Sequence, residues 1–433
     1  MREQWETDEG DDIAISVHPE LAVARLSDYA WQSRAEEFDR LVEASSCTLA
    51  ASLRYAVRRA NAATLLGDGQ VDQIRVQAAA LDAAVVFVDH PLSPVQQRNL
   101  EEAWSTKVVD RTGLILEIFA ARARTREGVL QVELASLNYQ LGRLVRSWTH
   151  LERQRGGFGF MGGPGERQIE LDRRMIKGKI KSLERDLEKV KQMRATQRAG
   201  RRKKEIPTVA LVGYTNAGKS TLFNRLTQAT VYVADQLFAT LDPTLRQLEI
   251  GDHLRLTLSD TVGFVQELPH ELVDAFRATL EEVIEADLIL HVKDASDPML
   301  SEQSQVVHDT LAQLGLVGDF SPPIVEVMNK KDRVPTLKSY RAESIAGSRI
   351  ALSAATGEGV DELLTLLTDW LSETMQQLTL TLEISDGKTL AFCYQHGSVT
   401  QRSADEHGLH LEVRMPPTAA ARLSKHNGFD VLT

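Results

Sequence analysis

Gly213-Tyr-Thr-Asn-Ala-Gly-Lys-Ser220 constrains the fold of this chain more than any other segment. It has the phosphate-loop spacing G-x-x-x-x-G-K-S, with the apolar run Val209-Ala-Leu-Val212 before it and a helical pattern over residues 221–226 after it. A strand, a glycine-rich turn and a helix start, in that order, belong to an α/β sheet that binds its ligand at the carboxyl ends of its strands. Gly213 and Gly218 let the chain turn, so that the N–H groups of Tyr214, Thr215, Asn216 and Ala217 can face phosphate oxygens at a helix N-terminus. Lys219 supplies a charge for the β- and γ-phosphates, and Ser220 a hydroxyl for Mg²⁺.

Three further motifs follow, each at a strand end. Leu254-Arg-Leu-Thr-Leu-Ser-Asp260 alternates and ends in an acid; with Thr261, Val262 and Gly263 it reads D-x-x-G. Asp260 is placed to hold Mg²⁺ through water, and Gly263 to bring a backbone N–H to a γ-phosphate with no side chain in the way. Pro323-Ile-Val-Glu-Val-Met328 leads into Asn329, Lys330, Lys331 and Asp332, the spacing N-K-x-D. The Asp332 carboxylate can accept from the ring N–H and the exocyclic amine of guanine together. Adenine has no such donor pair, and sites built on hydrogen bonds reject the wrong partner by roughly 10⁴–10⁵-fold. The ligand read from this motif is GTP. Ser353, Ala354 and Ala355, after Arg349-Ile-Ala-Leu352, would seat the base through backbone groups.

A threonine must also close over Mg²⁺ and the γ-phosphate. Thr240, in Phe238-Ala239-Thr240-Leu241-Asp242, is the first candidate, with Thr244 and Thr230 as competitors. Lys219, Thr240 and Gly263 are thus the expected catalytic residues, and Ser220 and Thr240 the expected metal ligands. The residue after Gly263 is Phe264, where many GTPases carry a glutamine that orients water. Phenylalanine cannot do this, which implies slow intrinsic hydrolysis and a group supplied by a partner or a monovalent cation. Gln266 lies nearby but out of register.

The rest of the chain is organised around this centre. At 433 residues, two to four domains are expected. Residues 1–124, with an acidic leader over 1–12, alternate strands and helices as an N-terminal α/β domain, in which no catalytic constellation is legible. Residues 125–205 read as a helical hairpin. Leu130, Leu134, Leu137, Leu141, Leu144, Trp148 and Leu151 form one heptad seam, and Ile176, Ile180, Leu183, Leu187 and Val190 a second. Between them lies a glycine-rich tip, 156–165. Its Gly157-Phe-Gly-Phe-Met-Gly162 matches the dinucleotide pattern G-x-G-x-x-G, but a charged helix end precedes it instead of an apolar strand. Residues 206–375 form the GTPase domain, and 376–433 a small C-terminal α+β module whose residues 378–416 read as alternating strand.

The net charge of −11 disfavours a nucleic-acid partner as an average, yet residues 166–205 carry fifteen Lys and Arg against seven Asp and Glu. That local surplus of +8 leaves −19 on the remainder and lets the hairpin contact phosphates through a local field. Two cysteines, Cys47 and Cys393, cannot build a disulfide framework and lack metal-ligand spacing; with no signal peptide and no apolar run long enough for a bilayer, the expected location is cytoplasmic.

Taken together, these segments resemble the HflX family of ribosome-associated GTPases. Leu92-Ser-Pro-Val-Gln-Gln-Arg-Asn-Leu-Glu101 and Asp110-Arg-Thr-Gly-Leu-Ile-Leu116 are similar to its N-terminal domain. Gly163-Pro-Gly-Glu-Arg-Gln-Ile-Glu-Leu-Asp-Arg-Arg174 is similar to its signature before the GTPase domain, and the four nucleotide motifs occur in its order. The resemblance implies a monomeric factor that binds the large (50S) ribosomal subunit and its RNA, splits or rescues stalled 70S ribosomes under stress, and is stimulated by the ribosome. The hairpin tip would then lie near the peptidyl transferase centre. Thr240 would be the Mg²⁺-binding switch threonine, and Asn216 matches an asparagine that holds K⁺ in some related GTPases. One departure is Gly67-Asp-Gly-Gln70, where the family often carries G-x-G-K; this argues against a second nucleotide role there. The competing expectation is a GTP-gated adaptor or ribosome-assembly factor in which the hairpin docks a partner and hydrolysis times release.

Overall fold

The computed structural model describes residues 12–22, 28–154, 164–204, 206–228, 238, 244–251, 254–266, 280–316, 318, 321–405 and 408–427. The chain divides into two compact units. One holds Met1–Lys189 with Ala234–Asp242 and Gln266–Arg277; the other holds Val190–Val233, Pro243–Val265 and Ala278–Thr433. Of the described residues, Phe238 and Gln266 therefore fall in the first unit although their chain neighbours in sequence belong to the second.

In the first unit, strands β1 (Asp12–Leu21), β2 (Cys47–Val57), β3 (Val85–Val88) and β4 (Lys107–Asp110) alternate with helices α1 (Asp28–Glu43), α2 (Asp68–Ala80), α3 (Pro94–Trp104) and α4 (Arg111–Arg122). The sheet runs β2-β1-β3-β4, with each neighbouring pair parallel. All four residues of β3 are buried, as helices on both faces of a parallel sheet require. Helix α3 starts as its sequence indicates: the Ser93 hydroxyl accepts from Gln96 N–H at 3.2 Å, the Gln96 side chain accepts from Ser93 N–H at 2.9 Å, and Pro94 needs no partner. Helix α4 begins at Arg111, because Asp110 caps it by accepting from Gly113 N–H at 2.8 Å. Gln70, the departure from the family's lysine, caps α2. It accepts from Gly67 N–H at 3.0 Å and donates to the Ala56 carbonyl at 3.0 Å.

Helices α5 (Arg126–Gln154) and α6 (Pro164–Lys204) carry the two heptad seams. Leu137 packs with Ile180 and Leu183, while Leu144 shares a cavity wall with Ile176 and Asp172. Advancing along α5 thus means going back along α6, so the pair is antiparallel. Residues 156–163 of the expected tip, and with them the decoy dinucleotide motif, lie outside the described residues.

The second unit is built on a six-stranded sheet. Its strands are β5 (Thr208–Val212), β6 (Thr244–Ile250), β7 (Leu254–Asp260), β8 (Leu288–Asp294), β9 (Ile324–Asn329) and β10 (Arg349–Ala351). Their order is β10-β9-β8-β5-β7-β6; β6 alone is antiparallel to its neighbour. Helices α7 (Lys219–Thr227), α8 (Glu281–Ile284), α9 (Leu300–Gln313) and α10 (Val360–Glu373) accompany it. Leu211, Leu222, Phe223, Leu256, Leu290, Val327, Leu363 and Leu367 form its core. The C-terminal module adds an antiparallel sheet β11-β13-β12, from Gln376–Leu382, Gly408–Met415 and Ser398–Asp405, with helices α11 (Gly387–His396) and α12 (Pro417–Asn427). The alternation expected over 378–416 is thus interrupted by α11, which Asp386 caps by accepting from Thr389 N–H at 3.1 Å. Among the described residues no helix is long and apolar enough to cross a membrane.

Candidate nucleotide site

The phosphate loop leaves β5 and enters α7 through two glycines that nothing else could replace. A Cβ on Gly213 would overlap the Val292 carbonyl of the neighbouring strand, and one on Gly218 would overlap the Asn329 side-chain amide. Gly218 also has φ +92°, in the left-handed region that other residues avoid. Asn216 sits in the same region at φ +59°. Lys219 is buried, and its ammonium donates to the carbonyls of Gly213 at 3.0 Å and Tyr214 at 2.8 Å. Burial lowers its pKa to about 8 against the opposing pull of Asp260. The Thr215 hydroxyl is buried with no hydrogen-bond partner among the described residues.

Asp260 ends β7 beside this loop. The Ser220 hydroxyl donates to its carboxylate at 2.7 Å, so two hard oxygen donors meet at the start of α7. That donor set suits Mg²⁺. Thr261 donates to the Leu211 carbonyl at 2.6 Å and pins the D-x-x-G segment to β5. Gly263 lies against the phosphate loop, where a Cβ would stand 2.7 Å from Thr215 Cγ2 and 3.2 Å from Lys219 Nζ. Phe264 is 1% exposed, and its backbone closes on the same loop: its carbonyl accepts from Thr215 N–H at 2.8 Å, and its N–H donates to the Gly213 carbonyl at 3.2 Å. The side chain that replaces a water-orienting glutamine therefore points into the protein.

Asn329, at the end of β9, ties the phosphate loop to the base loop. Its side chain donates to the Ala217 carbonyl at 2.8 Å and accepts from Ala354 N–H at 2.9 Å. Lys330 takes φ +61° and pairs with Asp294 at 2.7 Å; Lys331 pairs with Glu358 at 2.9 Å. Asp332 follows in a 3-10 turn and is exposed, open to a ligand. Ser353 and Ala354 are buried, Ala355 is exposed, and Arg225 of α7 donates to the carbonyls of Ala354, at 3.1 Å, and Ala355. Arg225, Asp294 and Glu358 escaped the sequence reading because they hold the motif residues instead of belonging to a motif.

The sheet thus gathers residues 213–220, 260–263, 329–332 and 353–355 at the carboxyl ends of β5, β7, β9 and β10. Phe238 is assigned to the first unit, where it packs on Phe119. Thr240, Ala239, Leu241, Asp242 and the competitor Thr230 lie outside the described residues. The other competitor, Thr244, opens β6 and pairs across the ladder with Asp260.

Comparison with known proteins agrees over nearly the whole chain. Family profiles described as GTP-binding GTPase N-terminal, GTP-binding GTPase Middle Region, 50S ribosome-binding GTPase and HflX C-terminal domain match residues 32–120, 122–201, 208–330 and 339–430. The GTPase HflX of Magnetococcus marinus is 47% identical over 420 residues, covering 96% of each chain. That of Escherichia coli is 45% identical over 393 residues, covering 90% of this chain and 91% of its own. Among solved structures, a GTP-binding protein from Sulfolobus solfataricus in complex with GDP aligns over 83% of this chain and 99% of its own, at 22% identity and a TM-score of 0.44. The family profiles and the two HflX relatives, with the motifs in their order, show that the chain belongs to the HflX family of GTPases.

Proposed function

We propose that this GTPase binds the large ribosomal subunit and splits or rescues stalled 70S ribosomes, with GTP hydrolysis timing its release. The observation that carries the reading is the antiparallel hairpin of α5 and α6, whose second helix and its flank concentrate the +8 charge of residues 166–205. A basic helical arm beside an acidic remainder suits ribosomal RNA, and the match to a family described as 50S ribosome-binding supports the same partner.

In the reaction, the backbone of residues 213–218 cradles the phosphates, and Lys219 leaves its two carbonyl acceptors to meet phosphate charge. Asp332 selects guanine, while Ser353, Ala354 and Ala355 seat the base. Ser220 and Thr240 would hold Mg²⁺, with Asp260 acting through water, and the bound ion would supply positive charge for the phosphates. Gly263 offers its N–H to the γ-phosphate, and ordering of Thr240 and Gly263 by that phosphate is the switch. Because Phe264 is buried, intrinsic turnover is slow. The ribosome supplies the missing stimulation, and K⁺ held through Asn216 can add to it. Working boundaries of 1–124, 125–205, 206–375 and 376–433, a cytoplasmic location and a monomeric state belong to the same proposal.

The test is 70S dissociation followed by light scattering, with GTP and with a non-hydrolysable analogue. Splitting should require nucleotide and should vanish in Lys219→Ala and on deletion of residues 156–165. Under the alternative of a GTP-gated adaptor or assembly factor, tip deletion leaves the ribosome traces unchanged.

A further inference from the structure

The N-terminal unit contains a buried ion cluster that the nucleotide site does not use. Arg111, the first residue of α4, has a side chain 2% exposed. One of its terminal nitrogens donates to Asp89 at 2.8 Å and the other to Glu37. Arg34 pairs with Asp89 at 3.3 Å. The strand order β2-β1-β3-β4 reverses direction between β1 and β3, and open α/β sheets take ligands outside the carboxyl ends of strands at such a reversal. Asp89 stands just after β3 and Arg111 just after β4. What this end takes in is the protein's own chain: Arg111 also donates to the main-chain carbonyl of Gln266 at 3.1 Å.

Gln266 comes two residues after Phe264, whose backbone is bonded to the phosphate loop. A second contact comes from the same helix. Phe119, two turns along α4 from Arg111 and so on the same face, packs edge-on against Phe238 with ring centroids 4.6 Å apart. Phe238 is 2% exposed, has φ +57°, and precedes Thr240 by two residues. One helix therefore holds the chain at two places within the first unit, before residue 240 and after residue 263 in sequence.

The start of that helix is also held from the hairpin. Asp110 caps α4 and accepts from the Tyr139 hydroxyl of α5 at 2.6 Å, with Arg143 of α5 at 3.6 Å from its other oxygen. Asp110 accepts further from Leu92 N–H at 3.0 Å. Tyr139 thus acts on Asp110, the residue next to Arg111, so cap and grip are covalently continuous.

We propose that α4 transmits the position of the hairpin to the GTPase centre: Tyr139 fixes the Asp110 cap, and Arg111 and Phe119 are positioning residues that set the backbone at Gln266 and Phe238. This rests on the ribosome reading above, because the hairpin is the part expected to meet the ribosome. The coupling runs through a rigid helix end and three named contacts.

Tyr139→Phe removes one hydroxyl and keeps the ring. With 50S subunits its kcat should fall about tenfold, within the usual range of coupling between sites. Its turnover without ribosomes, its GDP affinity and its co-sedimentation with 50S subunits should match the wild type. A stimulated rate equal to wild type overturns the proposal, as does a loss of co-sedimentation that accounts for the whole defect. Arg111→Lys keeps the charge but replaces the planar fork with a compact ammonium that cannot span Asp89, Glu37 and the Gln266 carbonyl together. It should lower kcat without ribosomes more than it changes KM, and an unchanged kcat overturns the positioning role. If 50S subunits leave wild-type turnover unchanged, the ribosome reading fails, and the Arg111→Lys result still decides the positioning role.

Discussion

Gly263→Ala probes the tightest approach in the candidate site. The added methyl would stand 2.7 Å from Thr215 Cγ2, 3.0 Å from Thr215 Cα and 3.2 Å from Lys219 Nζ. The Lys219 ammonium can shift a little. Thr215 is 7% exposed, and its Cα belongs to the phosphate loop, so neither can give way cheaply. The strain is relieved by moving residue 263 away, and Phe264 moves with it against bonds of 2.8 and 3.2 Å to the loop. Overpacking of this kind costs about 1–3 kcal/mol, which corresponds to roughly a 5- to 150-fold change in a rate or affinity. The loss should fall on the γ-phosphate. GTP turnover and affinity for a GTP analogue should drop by that factor, while GDP affinity, set by the rest of the loop and by Asp332, stays near wild type. Single-turnover hydrolysis and fluorescent-nucleotide titrations measure the two sides. Wild-type turnover in Gly263→Ala would refute the close approach, and an equal loss of GDP affinity would show that the damage is not specific to the γ-phosphate.

Other expectations follow from the same geometry. Asp332→Asn should weaken GTP binding by about 10²-fold or more, since the amide cannot accept from both guanine donors, and should favour a xanthine nucleotide, which offers a carbonyl in place of the amine; retained GTP preference in competition titrations contradicts the assignment. Lys219 loses its proton near pH 8 in the free protein, and phosphates bind the charged form. GTP affinity should therefore be flat below that pH and fall above it by up to about tenfold per unit until the pKa of the bound state is reached; a flat profile from pH 7 to 9 argues against the phosphate contact.

The N-terminal ion cluster should show in the pH dependence of stability. Burial pushes His18 down, but hydrogen bonds and charges from Asp39 and Asp89 outweigh it, and its pKa lies above 6.5. Ser16 and Ser52 also face the ring at 3.1 and 3.2 Å. A raised histidine pKa gives stability that is complete below pH 6.5 and is lost as pH rises through the folded value. Burial raises Asp89, but Arg111, His18 and Arg34 hold it down at about 2, so its share is complete above pH 3.8 and is lost as the pH falls through the folded value of about 2. Urea midpoints should therefore decline above pH 6.5, and His18→Gln should remove that decline.

What the sequence revealed and what it hid have physical reasons. Glycines forced by backbone approach, a lysine in a fixed loop and an aspartate facing a base leave short, rigid spacings, so residues 213–220, 260–263 and 329–332 were legible. The hairpin was legible because a heptad seam records its partner along both helices. The ion cluster of Arg34, Glu37, Asp89 and Arg111 was not, because its members are up to 77 residues apart and meet only when the parallel sheet closes. For the same reason nothing in the local pattern showed that Phe238 and Gln266 pack with the N-terminal unit. The helix Gly387–His396 hid inside an apparent alternation because its pattern is weakly amphipathic and its cap, Asp386, is one acid among many.

The most direct test of ribosome-dependent GTP hydrolysis is steady-state turnover with and without purified 50S subunits, over a range of salt. Slow turnover alone, strong acceleration by the subunits and weakening of that acceleration with salt are the expected results. Turnover that the subunits leave unchanged would contradict the claim.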